Sequence, residues 1–171
     1  ARQHRPAARA RAVVVGVALL LLRPWLRCLL ATACGEVAAG VLVYRDATVF
    51  VAADTSDEAD ERAKATLTEL LHVWQQGMHE ALPLAVKTAI AWLRADKEAE
   101  AKAATAYDGD PPNKVYGEVS EACLARAYSD FASLSADGRF ETLAETVYQP
   151  LLTWIDECTE AKAHNDNEEA A

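Results

Sequence analysis

Apolar positions recur along this chain with two different periods, and the changes of period mark out its elements. Residues 1–11 are polar and rich in Arg and Ala, and Ala12–Leu22 is then an unbroken apolar run. A bilayer span needs about 20 apolar residues, so this run reads as a buried strand or helix. Arg23, Pro24 and Arg27 interrupt it. Pro24 is suited to open a helix and Gly35 to close it, with Trp25, Leu26, Leu29, Leu30 and Ala33 on one face. Val41–Tyr44 and Thr48–Ala52 are β-branched and aromatic, separated by Arg45-Asp46-Ala47, and predict a short hairpin.

The period then becomes helical. Thr55 to Glu58 fits a capping box, with Asp57, Asp60 and Glu61 near a helix N-terminus. Ala63, Leu67, Leu70, Leu71 and Trp74 follow at helical spacing until Gly77. Pro83 starts another predicted helix with Val86, Ile90 and Leu93 inward, continuing through the Ala/Glu/Lys stretch to Ala106. Gly109, Pro111 and Pro112 make Asp108–Asn113 a loop. Leu124, Ala127, Phe131 and Leu134 line one further helix, which Asp137-Gly138 breaks. Phe140, Leu143, Ala144, Val147, Leu151, Trp154 and Ile155 form the cleanest amphipathic stripe, which Pro150 kinks or splits. The fold class expected is α+β, predominantly helical, with one short β-hairpin packed with several helices. The segments expected are residues 1–22, basic and apolar and of open role, a domain at 23–155, and an acidic tail at 156–171, disordered and fraying after Cys158.

Composition sharpens this in two ways. Six arginines and no acid precede Glu36, so with those removed from the net −9 the remainder carries −15. A strongly acidic body argues against free-standing DNA binding by the whole surface. Cys28, Cys34, Cys123 and Cys158 form no C-x-x-C pair and read as reduced thiols of a cytoplasmic protein. The chain begins with Ala and reads as a fragment or processed chain. Residues 1–34 also resemble a leader, with Ala31-Thr32-Ala33 ahead of Cys34, although Arg23 and Arg27 lie where a leader is uncharged. The alternative class is therefore an exported or lipid-anchored helical protein using residues 1–34 as leader.

Candidate chemistry is sparse. Glu69 and His72 form one E-x-x-H step, but a di-iron bundle needs two such steps and two further glutamates. Glu100-Ala101-Lys102 and Glu160-Ala161-Lys162 match the E-x-K of metal-dependent nucleases. That chemistry needs the motif on a strand behind a second carboxylate; here the surroundings predict helix and tail. Asp108 and Asp110 shape the loop around Gly109. No phosphate-cradling glycine loop occurs. No catalytic residue, cofactor-binding residue or metal ligand is therefore assigned. Trp25 and Trp154 read as core, whereas Trp74 and Trp92, flanking the Gly77–Pro83 connection, are either packing residues or contacts. Lys87 and Thr88 sit early in the helix after Pro83, where a helix N-terminus favours an anion. Trp74, Lys87, Thr88 and Trp92 are the candidate contacts to DNA or a partner subunit.

The same connection carries a family resemblance. Trp74-Gln75-Gln76-Gly77-Met78, Pro83-Leu84, Lys87-Thr88-Ala89 and Ala91-Trp92-Leu93 resemble a signature of the RecC family. Tyr107-Asp108-Gly109, Gly117-Glu118, Leu124–Tyr128, Asp130-Phe131, Leu143-Ala144-Glu145 and Pro150-Leu151-Leu152 follow in the family's order. Upstream, Trp25-Leu26, Leu29-Leu30, Ala33 and Gly35 resemble its helix before the hairpin, so the likeness spans 23–155. Cys123 and Ser129 depart from it, where Tyr and Pro are expected. The resemblance implies a fragment of a RecB-nuclease-like but catalytically inactive domain. It implies a subunit of exodeoxyribonuclease V with no activity of its own, RecB and RecD as partners, DNA within the assembled complex, no membrane and no cofactor. From the stripe alone, Leu143→Ala is expected to lower stability by about 2–5 kcal/mol; an unchanged unfolding midpoint would remove that face from the core.

Overall fold

In a computed structural model of the chain, residues 18–164 are described, apart from Asp46 and Lys114. The basic segment at 1–11, most of the apolar run and the last seven residues lie outside them. The chain divides into two compact units, one of residues 1–67 and 151–171 and one of 68–150.

The first unit opens with helix α1, Ala18–Ala33. It begins six residues before Pro24, which therefore lies inside the helix instead of opening it. A proline there removes the amide that would bond the Leu20 carbonyl, and Leu20 is itself exposed. Leu21, Trp25 and Cys28 recur at helical spacing on the buried face, while Leu26 and Leu30 face out. Gly35, at φ +72, closes the helix: its amide bonds the Thr32 carbonyl and the Glu36 amide bonds that of Ala31.

Strands β1, Ala39–Val43, and β2, Ala47–Ala52, form the expected hairpin, with Val41 opposite Phe50. Ala47, Val49 and Val51 point inward and Thr48, Phe50 and Ala52 do not, the period-2 pattern of a half-buried sheet. A third strand, β5, Thr159–Ala163, pairs antiparallel with β2, giving the order β1-β2-β5. Its polar sequence lacks β-propensity and reads as a fraying tail; pairing with β2 overrides that. The Trp154 indole N–H donates to the Ala52 carbonyl at 2.8 Å, and Trp25 and Trp154 are both core.

Helix α2, Ala59–Gly77, does not start from the expected capping box. Asp54 takes the bonding role instead, accepting from the Ser56 amide and hydroxyl and from Arg62. Those partners, the Ser56 hydroxyl first, hold its carboxyl below the usual range. Glu58 sits at φ +61, so it cannot serve as a helical N3.

In the second unit, the single long helix expected after Pro83 is two short ones, α3, Val86–Leu93, and α4, Ala99–Asp108. Pro83 is buried three residues ahead of α3. Glu98 at φ +57 turns the chain between the helices, and α3 packs on α4. Ala85, Ala89 and Ala103 are fully buried, and small side chains permit that close approach, so packing overrides the helix propensity of the Ala/Glu/Lys stretch. Gly109-Asp110 (β3) and Val115-Tyr116 (β4) form a small hairpin that begins in the expected loop and ends just beyond it. The next expected helix is also two, α5, Ala122–Ala127, and α6, Phe131–Ser135, the latter capped by Asp130 and Ser133. Phe131 and Leu134 are buried and Ala127 is exposed. Helix α7, Arg139–Cys158, contains Pro150 without splitting. Of its stripe, Phe140, Leu143, Ala144, Leu151, Trp154 and Ile155 are buried and Val147 is half-buried. Phe140 meets both Trp92 and Phe131 edge to face.

One buried carboxylate organises this unit. Glu118 accepts from the Lys87 amide at 3.1 Å, the Thr88 amide at 2.9 Å and the Thr88 hydroxyl at 3.0 Å. It thereby caps the first turn of α3, where an acidic group also suits the helix dipole. Gly109 and Gly117 bring the chain into register for this: a Cβ on Gly117 would overlap the Tyr107 carbonyl and the backbone of Asp108 and Gly109. Burial pushes the Tyr107 phenol up to about 12, so it stays a donor, bonding the Tyr128 carbonyl at 2.7 Å. Glu118→Ala leaves the buried Thr88 amide and hydroxyl and the part-buried Lys87 amide without their acceptor, and is expected to cost about 2–4 kcal/mol in urea denaturation. Glu118→Gln keeps an acceptor and should lose about half as much; equal stability of both variants and the parent would show that the cap is dispensable.

Candidate interaction surface

The four candidate contacts part company in the structure, all within the second unit's residues 68–150. Thr88 is 0% exposed, and its amide and hydroxyl both bond Glu118. It is a core residue, and the α3 N-terminus that an external phosphate would need is already occupied by a carboxylate of the chain itself. Trp92 is half-buried with its ring against Phe140, so it sets packing. Lys87 lends its amide to Glu118 while its side chain is exposed. Trp74 is 62% exposed.

Trp74 therefore marks the surface. Of the α2 stripe Ala63, Leu67, Leu70, Leu71 and Trp74, only Ala63 is buried. Leu70 and Val73 are half-buried and Leu71, Trp74 and Met78 are exposed, Met78 at 66%. Trp74, Met78, Leu82 and Leu84 line an open groove of about 520 Å³ together with Val147. Three contacts fix its rim. The Met78 amide bonds the Trp74 carbonyl as α2 ends, the Tyr128 hydroxyl donates to the Ala81 carbonyl at 2.8 Å, and Arg139 bonds Glu80 at 2.6 Å. The Arg139 guanidinium holds the Glu80 carboxyl below its usual range. Sequence periodicity marked Trp74 but not Met78, Leu82 or Leu84. These lie in the aperiodic Gly77–Pro83 connection and beside it, and only an exposed apolar cluster in the folded chain brings them out.

The chemical near-motifs resolve as follows. Glu69 and His72 are exposed on α2. Glu100 and Lys102 are exposed on α4. Glu160 and Lys162, expected in a frayed tail, lie on strand β5, so the strand setting that was missing from the sequence is present. Two residues apart, they share a sheet face, with Lys162 3.6 Å from Glu160 and 4.9 Å over the Phe50 ring. Among the described residues no three His, Cys, Asp or Glu side chains converge as metal ligands. Asp110 accepts from Asn113 within the loop, as expected, whereas Asp108 accepts from the Phe131 amide, 23 residues away at the start of α6. The four thiols are free, and burial pushes those of Cys28 and Cys158 up, away from thiolate reactivity. No helix among the described residues is long and apolar enough to cross a membrane.

Comparison with known proteins returned a family match and nothing else. Residues 17–97 match the RecC C-terminal domain. Neither curated proteins nor solved structures gave a match. The matched stretch runs from the start of α1 through α3 and includes the whole of Trp74–Leu93, where the resemblance is densest; the resemblance downstream of 97 rests on its residues alone. Residues 17–97 of this mixed α+β, mostly helical chain are thus similar to the RecC C-terminal domain.

Proposed function

We propose that this chain is a non-catalytic C-terminal part of the RecC subunit of a RecBCD-type helicase–nuclease, exodeoxyribonuclease V. There it scaffolds the assembly that processes double-strand DNA ends for recombinational repair, guides strands and takes part in the Chi response in the cytoplasm. Its partners are RecB, RecD and the DNA held within the complex. The observation that carries this reading is the RecC C-terminal domain over 17–97, whose most characteristic segment ends α2 in an exposed apolar groove at Trp74 and Met78. Exposed Trp beside flexible Met is a surface composition suited to protein contact. The net charge of −9 favours protein docking over duplex binding by the fragment as a whole.

Two experiments test this reading. Copurification with RecB and RecD should fall at least about tenfold for Trp74→Ala combined with Met78→Ala, as hot-spot truncation does. The melting temperature should stay unchanged, because both side chains are exposed. Assembly and unwinding that proceed normally with both the groove variant and Lys87→Glu would refute docking through this surface. The fragment alone is expected neither to cleave DNA with Mg²⁺ nor to hydrolyse ATP. Because Glu160-Ala161-Lys162 does lie on a strand, cleavage that disappears in Glu160→Ala would establish a nuclease in place of a scaffold.

A further inference from the structure

We infer that the β1 edge of the first unit's sheet accepts an added β-strand from a different polypeptide, an extended segment that is uncharged and has β-branched or aromatic residues at alternate positions. This rests on the sheet itself and is independent of the groove at Trp74.

The sheet order is β1-β2-β5, so β1 and β5 are its two edges. They are unlike. β5 carries Glu160 and Lys162, charged side chains of the kind that keep sheet edges from pairing. β1 reads Ala39-Gly40-Val41-Leu42-Val43, with no charge and no proline. Val41 is 57% and Val43 73% exposed. Among the described residues, no backbone hydrogen bond outside the β1–β2 ladder reaches 39–43. In an antiparallel ladder alternate residues direct their N–H and C=O groups away from the partner, so β1 presents a row of unpaired backbone groups. That row specifies its occupant, since only an extended chain offers matching donors and acceptors at strand spacing. Val41 lies opposite Phe50, so the open face beside the edge is apolar there; at the Val43 end it meets Thr48, whose hydroxyl bonds His164. Side chains of the incoming strand would extend this surface. Two copies of a chain with net charge −9 repel each other, which favours a different and less acidic partner over self-pairing.

The test uses the full chain, ¹⁵N-labelled, titrated to millimolar concentration with a capped peptide, Thr-Val-Thr-Val-Thr-Val. Amide shifts and slowed hydrogen exchange are expected at residues 39–43, with the chain remaining monomeric. The same peptide N-methylated at every residue lacks donors and should give no shifts. Val41→Lys combined with Val43→Lys should weaken binding at least about tenfold, with an unchanged circular dichroism spectrum, because charged edge residues oppose pairing. If that variant fails to fold, the N-methylated peptide decides the matter on the parent chain. The inference is overturned by an absence of shifts, by shifts elsewhere, by equal binding of the N-methylated peptide, or by protection of 39–43 that rises with protein concentration without peptide.

Discussion

A carboxylate taken out of water needs donors, and a helix start taken out of water needs acceptors. In residues 68–150 one contact meets both needs, Glu118 on the amides of Lys87 and Thr88. Much of that unit is arranged around it. The α3 start is tied to the segment after the β3–β4 hairpin, so α3 and α4 can be short and still hold their places. Burial, and next the neighbouring Glu118, push the Tyr148 phenol up, which keeps it neutral inside the same core. The contact also closes a functional option, since an anion from outside finds the α3 amides already bonded.

How much could be read beforehand follows from the range of each interaction. Trp25 and Trp154 as core, the β1–β2 hairpin, the Gly35 stop and the α7 stripe are local patterns, and they were legible. The Glu118 cap joins residues 30 apart, and no local period encodes that. The break between α3 and α4 lies in a stretch whose residues, Asp96 apart, favour helix, and there the two helices pack on each other. β5 was hidden because Thr-Glu-Ala-Lys-Ala has no strand signature of its own and is a strand by virtue of β2. At the candidate site the limit was of another kind. Helical spacing put Leu71 and Trp74 on one apolar face and left open whether Trp74 packs or makes contacts; spacing reports only that a face is apolar, and this one is open to solvent.

Among the described residues of the chain no cluster of metal-ligating side chains converges, and the features that stand out are at the surface. Its unsatisfied features are surfaces, an apolar groove where α2 ends and a sheet edge without charges, one in each unit. Its buried polar groups are, by contrast, mostly partnered: Tyr107, Thr88, Glu118 and the Trp154 indole all have bonds. Exposed apolar and unpaired backbone groups of this kind are the features that association uses.

The meeting of Gly109 and Gly117 has a genetic consequence. Each position is occupied by the one residue without a Cβ, and at each an added carbon would run into main chain, which has no rotamer to retreat into. Every missense change at codon 117, however small the new side chain, therefore injures the cap as surely as losing Glu118 would. The lesion would leave Glu118, Lys87 and Thr88 intact in the sequence. A survey of inactive alleles in this stretch would thus find neutral-looking glycine replacements grouped with carboxylate losses, and the shared defect would be the backbone crossing between them.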